Sequence, residues 1–506
     1  MKRFTGLINQ GVVLVVFHEA ANVDARVLYW LRRLQRMFDA LPLWSLFLSR
    51  NNCIQTLVPA DRQDYYSLIF DSKLRPLDPF LGLQLDFELH RRFRDRGLHQ
   101  DELRKPLALF ATCGHLTMFG RPLWRQVSNN WYLEVSNFVT GKLLSAPHID
   151  TENIDHVFAV LSSRLCLVPA KNTGGETLVS NAVNRHLRVA TAFLNQTQSK
   201  LKITIPTEPI VAEAAASILT FRPGIGADRL WPSCIRTFRA RLLRGGLIEN
   251  GVNGELYAQL LMVLARDYVS VTILKSQIRP ATEDLTSWSR PFSLLQFLHT
   301  LLGSDELRLG SVTPTTTVGS DADLIWPLAF REAFESALLN FTHFTSTETH
   351  LQSTYRTELL HDLMRQCAAL QLPSGQATWD LLIPMYLGDH NAAFDPESLS
   401  AVVISAKNET SARSLKISSE DLDYFKGLSQ PVVAILLDLG VTPGRRPISQ
   451  TQLVQHQNRP PCFGFRVEGS DSGSFSVLHH QGIRQASGGV LPPATENDSV
   501  EYDTAC

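Results

Sequence analysis

The chain has 506 residues, 44% of them hydrophobic and 19% charged, which is enough apolar content to bury several cores and too much for global disorder. Forty-eight Lys and Arg against 49 Asp and Glu leave a net charge of −1, which excludes a whole-chain polycation that grips nucleic acid by charge alone. The balance is uneven along the chain, with residues 1–130 summing to +6 and residues 375–506 to −6, so a partner selected by charge meets two different ends.

Seven cysteines are scattered without a C-x-x-C pair. That is neither a disulfide framework nor a zinc module, and it suits a reducing intracellular compartment, cytoplasmic or nuclear. No uninterrupted run of about 18 apolar residues occurs, so no membrane partner is expected. The start is not read as a signal peptide, because His18 and Glu19 follow its short apolar stretch directly and no small-residue cleavage site is placed to serve it.

In chain order, Val12–Phe17 is a β-branched run suited to a strand buried in a parallel sheet. Asp24 can cap a helix with Val27, Leu28, Leu31, Leu34, Phe38 and Leu41 on one face. Trp44–Leu48 follows as a second short strand, completing the strand–helix–strand crossover of an α/β sheet. From about Asp86 to Ile325 the pattern is mainly helical, with Glu255–Ala265 the clearest helix. Ile218–Phe221 and Val269–Leu274 read as short strands. Beyond Asp323, Phe330, Phe334, Ala337, Leu338, Phe341 and Phe344 make a helical stripe, and Leu351–Cys367 a second helix. Four strand-like runs follow: Leu381–Leu387, Ala401–Ser405, Val432–Leu439 and Cys462–Val467. Residues 481–506, with paired glycines and prolines, read as a disordered tail.

Two constellations carry chemistry. In VVLVVFHEA, a buried strand ends in an acid, which is how a P-loop NTPase sets carboxylates beside nucleotide-bound magnesium. Glu19 stands in the water-activating position, and His18 stands where a magnesium-linked Asp would be, although a neutral imidazole is a poor ligand for a hard cation. Ser49, with Arg50 and Asn51, ends the second strand where a γ-phosphate sensor would sit. The phosphate-cradling G-x-x-x-x-G-K-[ST] loop is absent, so ATP is not an expected cofactor of this chain. The plainer reading is an ordinary buried strand with an acid at its end.

The second constellation spans residues 378–408. Asp380 opens one strand and Lys407 closes the next across a turn-rich connection. Nucleases of the restriction-endonuclease type place an acid before one strand and [DEQ]-x-K at the end of its partner, so that two acids hold magnesium and the lysine positions the attacking water. Glu358 or Glu335 on the preceding helices can supply a further acid. Ser405 stands where Glu, Asp or Gln is needed, so any Mg2+ held by Asp380 and Glu358 would be held weakly. The alternative is a β-hairpin with a solvated lysine. His148-Ile149-Asp150 with His156 or His186 reads as a surface loop rather than an iron site. Thr173-Gly174-Gly175-Glu176 reads as a turn, and the Arg91–Arg96 run as a solvated helix face.

The strings GDHNAAFDPESLSAVVISAKN, LAFREAFESALLNFTHF, FGRPLWRQ and GELYAQLLMVLARD resemble fungal Crinkler-like, transposon-associated proteins, over roughly residues 10–480. The resemblance implies a P-loop NTPase domain, here truncated at its N-terminus, joined to a C-terminal nuclease domain of the restriction-endonuclease superfamily, PD-(D/E)XK. It carries the NTPase acid to Glu19, the first nuclease acid to Asp380 and the nuclease lysine to Lys407. His18 and Ser405 depart from the family pattern. The expected architecture is therefore multidomain α/β: an NTPase-like remnant over 1–85, a helical middle over 86–325, a nuclease-like domain over 326–480 and a tail over 481–506. The expected function is a catalytically degenerate effector or mobile-element-derived protein that acts by interaction, with DNA or proteins as partners. The alternative is a metal-dependent DNA endonuclease using Asp380, Ser405 and Lys407.

Overall fold

The computed structural model describes residues 13–18, 43–48, 104–127, 132–195, 200–204, 207–220, 230–249, 254–276, 288–303, 329–347, 357–373, 378–411, 413–418, 420–443, 448–455, 460–480 and 482–487, with positions 27, 31, 85 and 490. The protein is mixed α/β and falls into two units, Met1–Gln84 with Pro169–Thr204, and Leu85–Val168 with Ile205–Cys506.

In the first unit, β1 (Val13–His18) and β2 (Leu43–Leu48) pair in parallel, in register from Val13 opposite Leu43 to His18 opposite Leu48. Both strands therefore end at one edge, as the sequence predicts, although Glu19 and Ser49 beyond them lie outside the described residues. Val27 and Leu31 are helical, which agrees with the crossover between the strands. The Thr173-Gly174-Gly175-Glu176 stretch opens the helix Thr173–Arg185, capped by Asn172, whose side chain accepts from the Gly175 amide at 2.8 Å. A Cβ on Gly175 would lie 2.0 Å from the Ala170 carbonyl oxygen, so only glycine fits there. β3 (Val189–Asn195) and β4 (Lys200–Thr204) form an antiparallel pair inside a region the sequence predicts to be helical.

The second unit is built on a nine-stranded mixed sheet. Its strands are β5 (Phe292–Ser293), β6 (Leu338–Leu339), β7 (His343–Ser346), β8 (Ala368–Gln371), β9 (Leu381–Tyr386), β10 (Leu399–Lys407), β11 (Val432–Asp438), β12 (Ile448–Val454) and β13 (Cys462–Glu468). The order is β12-β13-β11-β10-β9-β6-β5, with β8 also on β9 and β7 on β8. β9 and β10 pair antiparallel, while β10, β11 and β13 run parallel, so the last three all end at one edge. Every residue of β9 and β11 is buried, as expected of central strands covered on both faces.

One face packs on the helix Thr357–Arg365, whose Leu360, Leu363 and Met364 join Leu382, Val403 and Ala434 in the main core. Alternation turns Gln371, Leu381 and Ile404 to the other face, where the Gln259 amide of the helix Glu255–Ser276 bonds Gln371 at 3.1 Å. That helix is long and apolar enough to cross a membrane by length and composition. Its residues from Leu260 to Ala265 are instead buried in the unit, next to Arg266 and Asp267.

Asp267 centres a sealed charge knot, in which each of Arg164, Arg266 and Asp267 is at most 1% exposed. Its Oδ1 meets Arg164 Nη2 at 2.7 Å and Arg266 Nη1 at 3.1 Å, and its Oδ2 accepts from Trp231 Nε1 at 3.0 Å. Both Nε donors are used as well, since Arg266 Nε donates to the Phe341 carbonyl at 2.9 Å and Arg164 Nε to that of Thr342. The FGRPLW segment has a comparable structural role. Buried Glu208 accepts from the Arg121 amide at 2.9 Å, from the Arg121 guanidinium and from Trp124 Nε1 at 2.6 Å. Burial pushes its carboxyl up from the ordinary glutamate range, against the pull of Arg121. Gly120, at φ +79°, passes so close that a Cβ would fall 2.2 Å from Glu208 Cγ.

Several expectations are corrected. Ile218–Thr220 and Val269–Leu274 are helical, because they continue Pro209–Thr220 and Glu255–Ser276, helices buried along most of their length. The stripe from Phe330 to Phe344 is helical only over 329–334 and then turns into β6 and β7, with Phe330 and Phe334 buried from the helix, Phe341 from the connection between the strands and Phe344 from β7. A boundary at 325/326 does not divide two units, because β5 and the helix Glu255–Ser276 both pack with the sheet. Residues at the start of the expected tail form the helix Ile483–Ser487, anchored by fully buried Ile483.

Candidate functional site

The candidate site lies at the edge where β10, β11 and β13 end and β9 begins. The Asp380 amide donates to the Ile404 carbonyl at 2.8 Å, which sets Asp380 one residue ahead of the Leu381–Ile404 pair and opposite Ser405. Alternation turns Ser405 and Lys407 to the same face. Across the parallel ladder Lys407 pairs with Asp438, and Asp438 with Glu468, so three strand ends place polar side chains side by side.

The carboxylates there are already engaged. Asp380 Oδ2 accepts the Ala406 amide at 2.7 Å. Burial pushes Asp380 up from the ordinary aspartate range, while the Ala406 amide, Lys407, Arg413 and a hydrogen bond with Ser405 pull it down. Asp438, 2% exposed, takes Arg413 Nε on Oδ1 at 2.6 Å and the Arg413 amide on Oδ2 at 3.0 Å. Arg466 Nε stands 3.0 Å from Asp438 Oδ2, and its Nη2 pairs with Glu468. Arg413 also donates to Ser405 Oγ at 3.1 Å and to the Leu437 carbonyl at 3.2 Å.

Arg413 is held there by the chain that follows it. Leu415 and Ile417 donate their amides to Gln450 Oε1 at 2.8 Å and Gln452 Oε1 at 3.0 Å, and both side chains are buried on the core face. Gly464 on β13 admits this strap, since a Cβ there would lie 2.2 Å from Ile417 Cδ1. The result is a strip of three carboxylates (Asp380, Asp438, Glu468) and three cations (Lys407, Arg413, Arg466), with formal charges that cancel. Lys407 is half-buried and makes no ion pair among the described residues.

The structure thus brings together Asp380, Ser405 and Lys407. Glu358, in the first turn of the helix Thr357–Arg365, is exposed, and no hydrogen bond or ion pair among the described residues links it to Asp380. Glu335 is remote, because the adjacent Ser336 bonds the Leu387 carbonyl at the opposite end of β9, a strand length of about 20 Å away. Asp438, Glu468, Arg466 and Arg413 were missed from sequence. The first two carry a readable signal, an apolar run closed by an acid, in VVAILLD and CFGFRVE.

The donor set does not fit a divalent cation. A magnesium site needs carboxylate oxygens free to replace water, whereas these are occupied by a backbone amide and two guanidinium groups. Among the described residues no group of three or more His, Cys, Asp or Glu is arranged to hold a metal. Comparison of the chain with protein-family models, curated proteins and solved structures finds no match.

Proposed function

We propose that this chain is a catalytically degenerate, Crinkler-like or mobile-element-derived protein that keeps a nuclease-like sheet and acts by interaction, inside the cell. The observation that carries this reading is the position of Arg413. Its guanidinium bridges Ser405 and Asp438 and supplies the positive charge that a metal would otherwise supply. Adding Mg2+ to a strip whose charges already cancel would leave two positive charges uncompensated in a mostly buried place, which is unfavourable by several kcal/mol. The antiparallel β9–β10 pair, the helix packed behind it and the convergence of Asp380 with Lys407 support the nuclease-like part. The NTPase-like part is supported by the parallel β1–β2 pair alone. The free thiols of Cys113, Cys166, Cys234, Cys367 and Cys462 are in keeping with a reducing compartment.

A second reading, a magnesium-dependent DNA endonuclease, is favoured by one observation: beside Asp380, Lys407 is half-exposed and makes no ion pair among the described residues. Calorimetric titration with Mg2+ and Mn2+, together with a supercoiled-plasmid nicking assay, separates the two. The expected result is no saturable binding below millimolar metal and no nicking. Metal-dependent nicking that disappears in Lys407→Ala establishes the second reading. Nicking that survives Lys407→Ala removes the site assignment altogether.

A further inference from the structure

A basic stretch lies away from the strand ends, on the helix Trp231–Thr237 and the π-helical turn Phe238–Leu243 that continues it. Residues 230–248 contain four arginines and no acid, in a chain whose charges otherwise nearly cancel. Trp231, Cys234, Ile235, Phe238, Leu242 and Leu243 are buried and fix the inward face. The outward positions hold Arg236, Arg239, Ala240, Arg241, Arg244, Gly245 and Gly246, with Arg239 half-buried and the rest exposed.

The wide turn matters for alignment. The Arg244 amide bonds the Arg239 carbonyl at 3.0 Å, five residues back, so Arg244 is set above Arg239 rather than rotated past it. Arg241 donates to the Glu152 carbonyl, gripping the chain just ahead of the helix Ile154–Ser162, whose first turn carries Asp155. Arg236 donates to Ser233 Oγ at 3.0 Å, which orients it along the stripe. Arg239 and Arg244 make no ion pair or hydrogen bond through their side chains among the described residues. Gly245 keeps the end of the stripe low, because a Cβ there would lie 2.1 Å from the Arg241 carbonyl oxygen.

We propose that Arg236, Arg239 and Arg244 form a docking stripe for the phosphate backbone of duplex DNA. This deepens the interaction role proposed above and rests on it for the partner's relevance. From Arg236 to Arg244 the stripe rises eight residue steps, or about 12 Å at helical rise, which covers roughly three to four phosphate steps at about 3.4 Å of axis each along one strand. Guanidinium groups suit this work, because their planar forks bind phosphate oxygens in pairs. The exposed positions carry only Arg, Ala and Gly, so the aromatic platforms that hold single strands are missing. That leaves backbone contact to a regular duplex as the favoured mode.

The test is fluorescence anisotropy of the full chain with a labelled 20-base-pair DNA duplex over a range of salt. Wild type is compared with Arg239→Glu/Arg244→Glu and with Lys426→Glu, an exposed control cation elsewhere on the sheet unit. The double variant should lose at least about tenfold in affinity and flatten the salt slope by about one per arginine, while Lys426→Glu changes little. Circular dichroism and the melting temperature confirm that the variants fold. Equal loss in the control, no binding by wild type, or tighter binding to single strands, duplex RNA or anionic vesicles overturns the stripe. None of these outcomes touches the metal titration, which judges the degenerate-site reading separately.

Discussion

Two aspartates in the sheet unit are each held by two arginines, and their surroundings separate a sealed knot from a strip at the strand ends. Asp267 is sealed, its arginines are at most 1% exposed, and Arg164 and Trp231 reach it from distant parts of the chain while Arg266 is its sequence neighbour. Asp438 is equally buried, but Arg413 beside it is 25% exposed, and half-exposed Lys407 lies opposite in the ladder. The Asp267 knot has the geometry of pure scaffold. The Asp438 strip has a position that open sheets reserve for ligands, at the carboxyl ends of parallel strands, with the charge balance of scaffold. A carboxylate cluster whose counter-ions are covalent parts of the chain has little left to offer a metal.

The largest expected effect comes from emptying each cluster of its aspartate. Asp267→Ala leaves two guanidinium groups buried with one partner fewer, and should destabilise the protein by about 3–5 kcal/mol. Asp438→Ala should cost less, about 1–3 kcal/mol, because solvent reaches Arg413 and screens it. Urea unfolding of both variants decides this, and equal losses would erase the distinction between the clusters.

A pH experiment sharpens the same contrast. His343 adjoins the sealed knot and is lowered to about 3 by burial first, then by Arg164 and Arg266. His115, against Phe110 and with Nε2 at 2.9 Å from the Arg365 carbonyl, is lowered to about 3 chiefly by burial. Both are therefore neutral when folded and protonated when unfolded between pH 6.5 and about 3. The unfolded state binds more protons throughout that window, so stability falls as pH drops through it, by up to about 1.4 kcal/mol per unit for each histidine. The urea midpoint should fall between pH 7 and pH 5, and His343→Gln should flatten that fall. An unchanged slope in the variant would remove His343 as a cause.

Much of this fold was legible where burial follows backbone period. The apolar runs of β1, β2, β9, β10, β11 and β13 announce themselves, and so does the Asp380–Lys407 spacing, since alternation alone puts Ser405 and Lys407 on one face. The failures have local causes. Val269–Leu274 is β-branched, but it continues a buried helix, where packing overrides propensity. ISQTQLV in β12 has no apolar alternation because its glutamines serve the amides of Leu415 and Ile417 instead of filling a core. Arg413 and Arg466 were invisible because their partners are set by sheet order, and no spacing in one sequence encodes which parallel strand lies next to which.

The finest expected effect tests whether the strip can be made to hold a metal. Ser405→Glu alone places a carboxylate two residues before Lys407, but Arg413 at 3.1 Å from the present hydroxyl would pair with it at once. The single variant should therefore gain little affinity for Mn2+. Arg413→Ala alone frees Asp438 from one of its two guanidinium groups, yet Ser405 remains a neutral ligand. Only together do the changes alter the balance, from three carboxylates against three cations to four against two, a net charge of −2 that a divalent ion would neutralise. The double variant should bind Mn2+ at least about tenfold more tightly than either single variant, a coupling of about 1.4 kcal/mol between adjacent positions. Calorimetry on the four proteins reads that coupling directly. Additive changes would mean that Arg413 is not what excludes the metal, and that the neutral side chain at Ser405 acts independently of it.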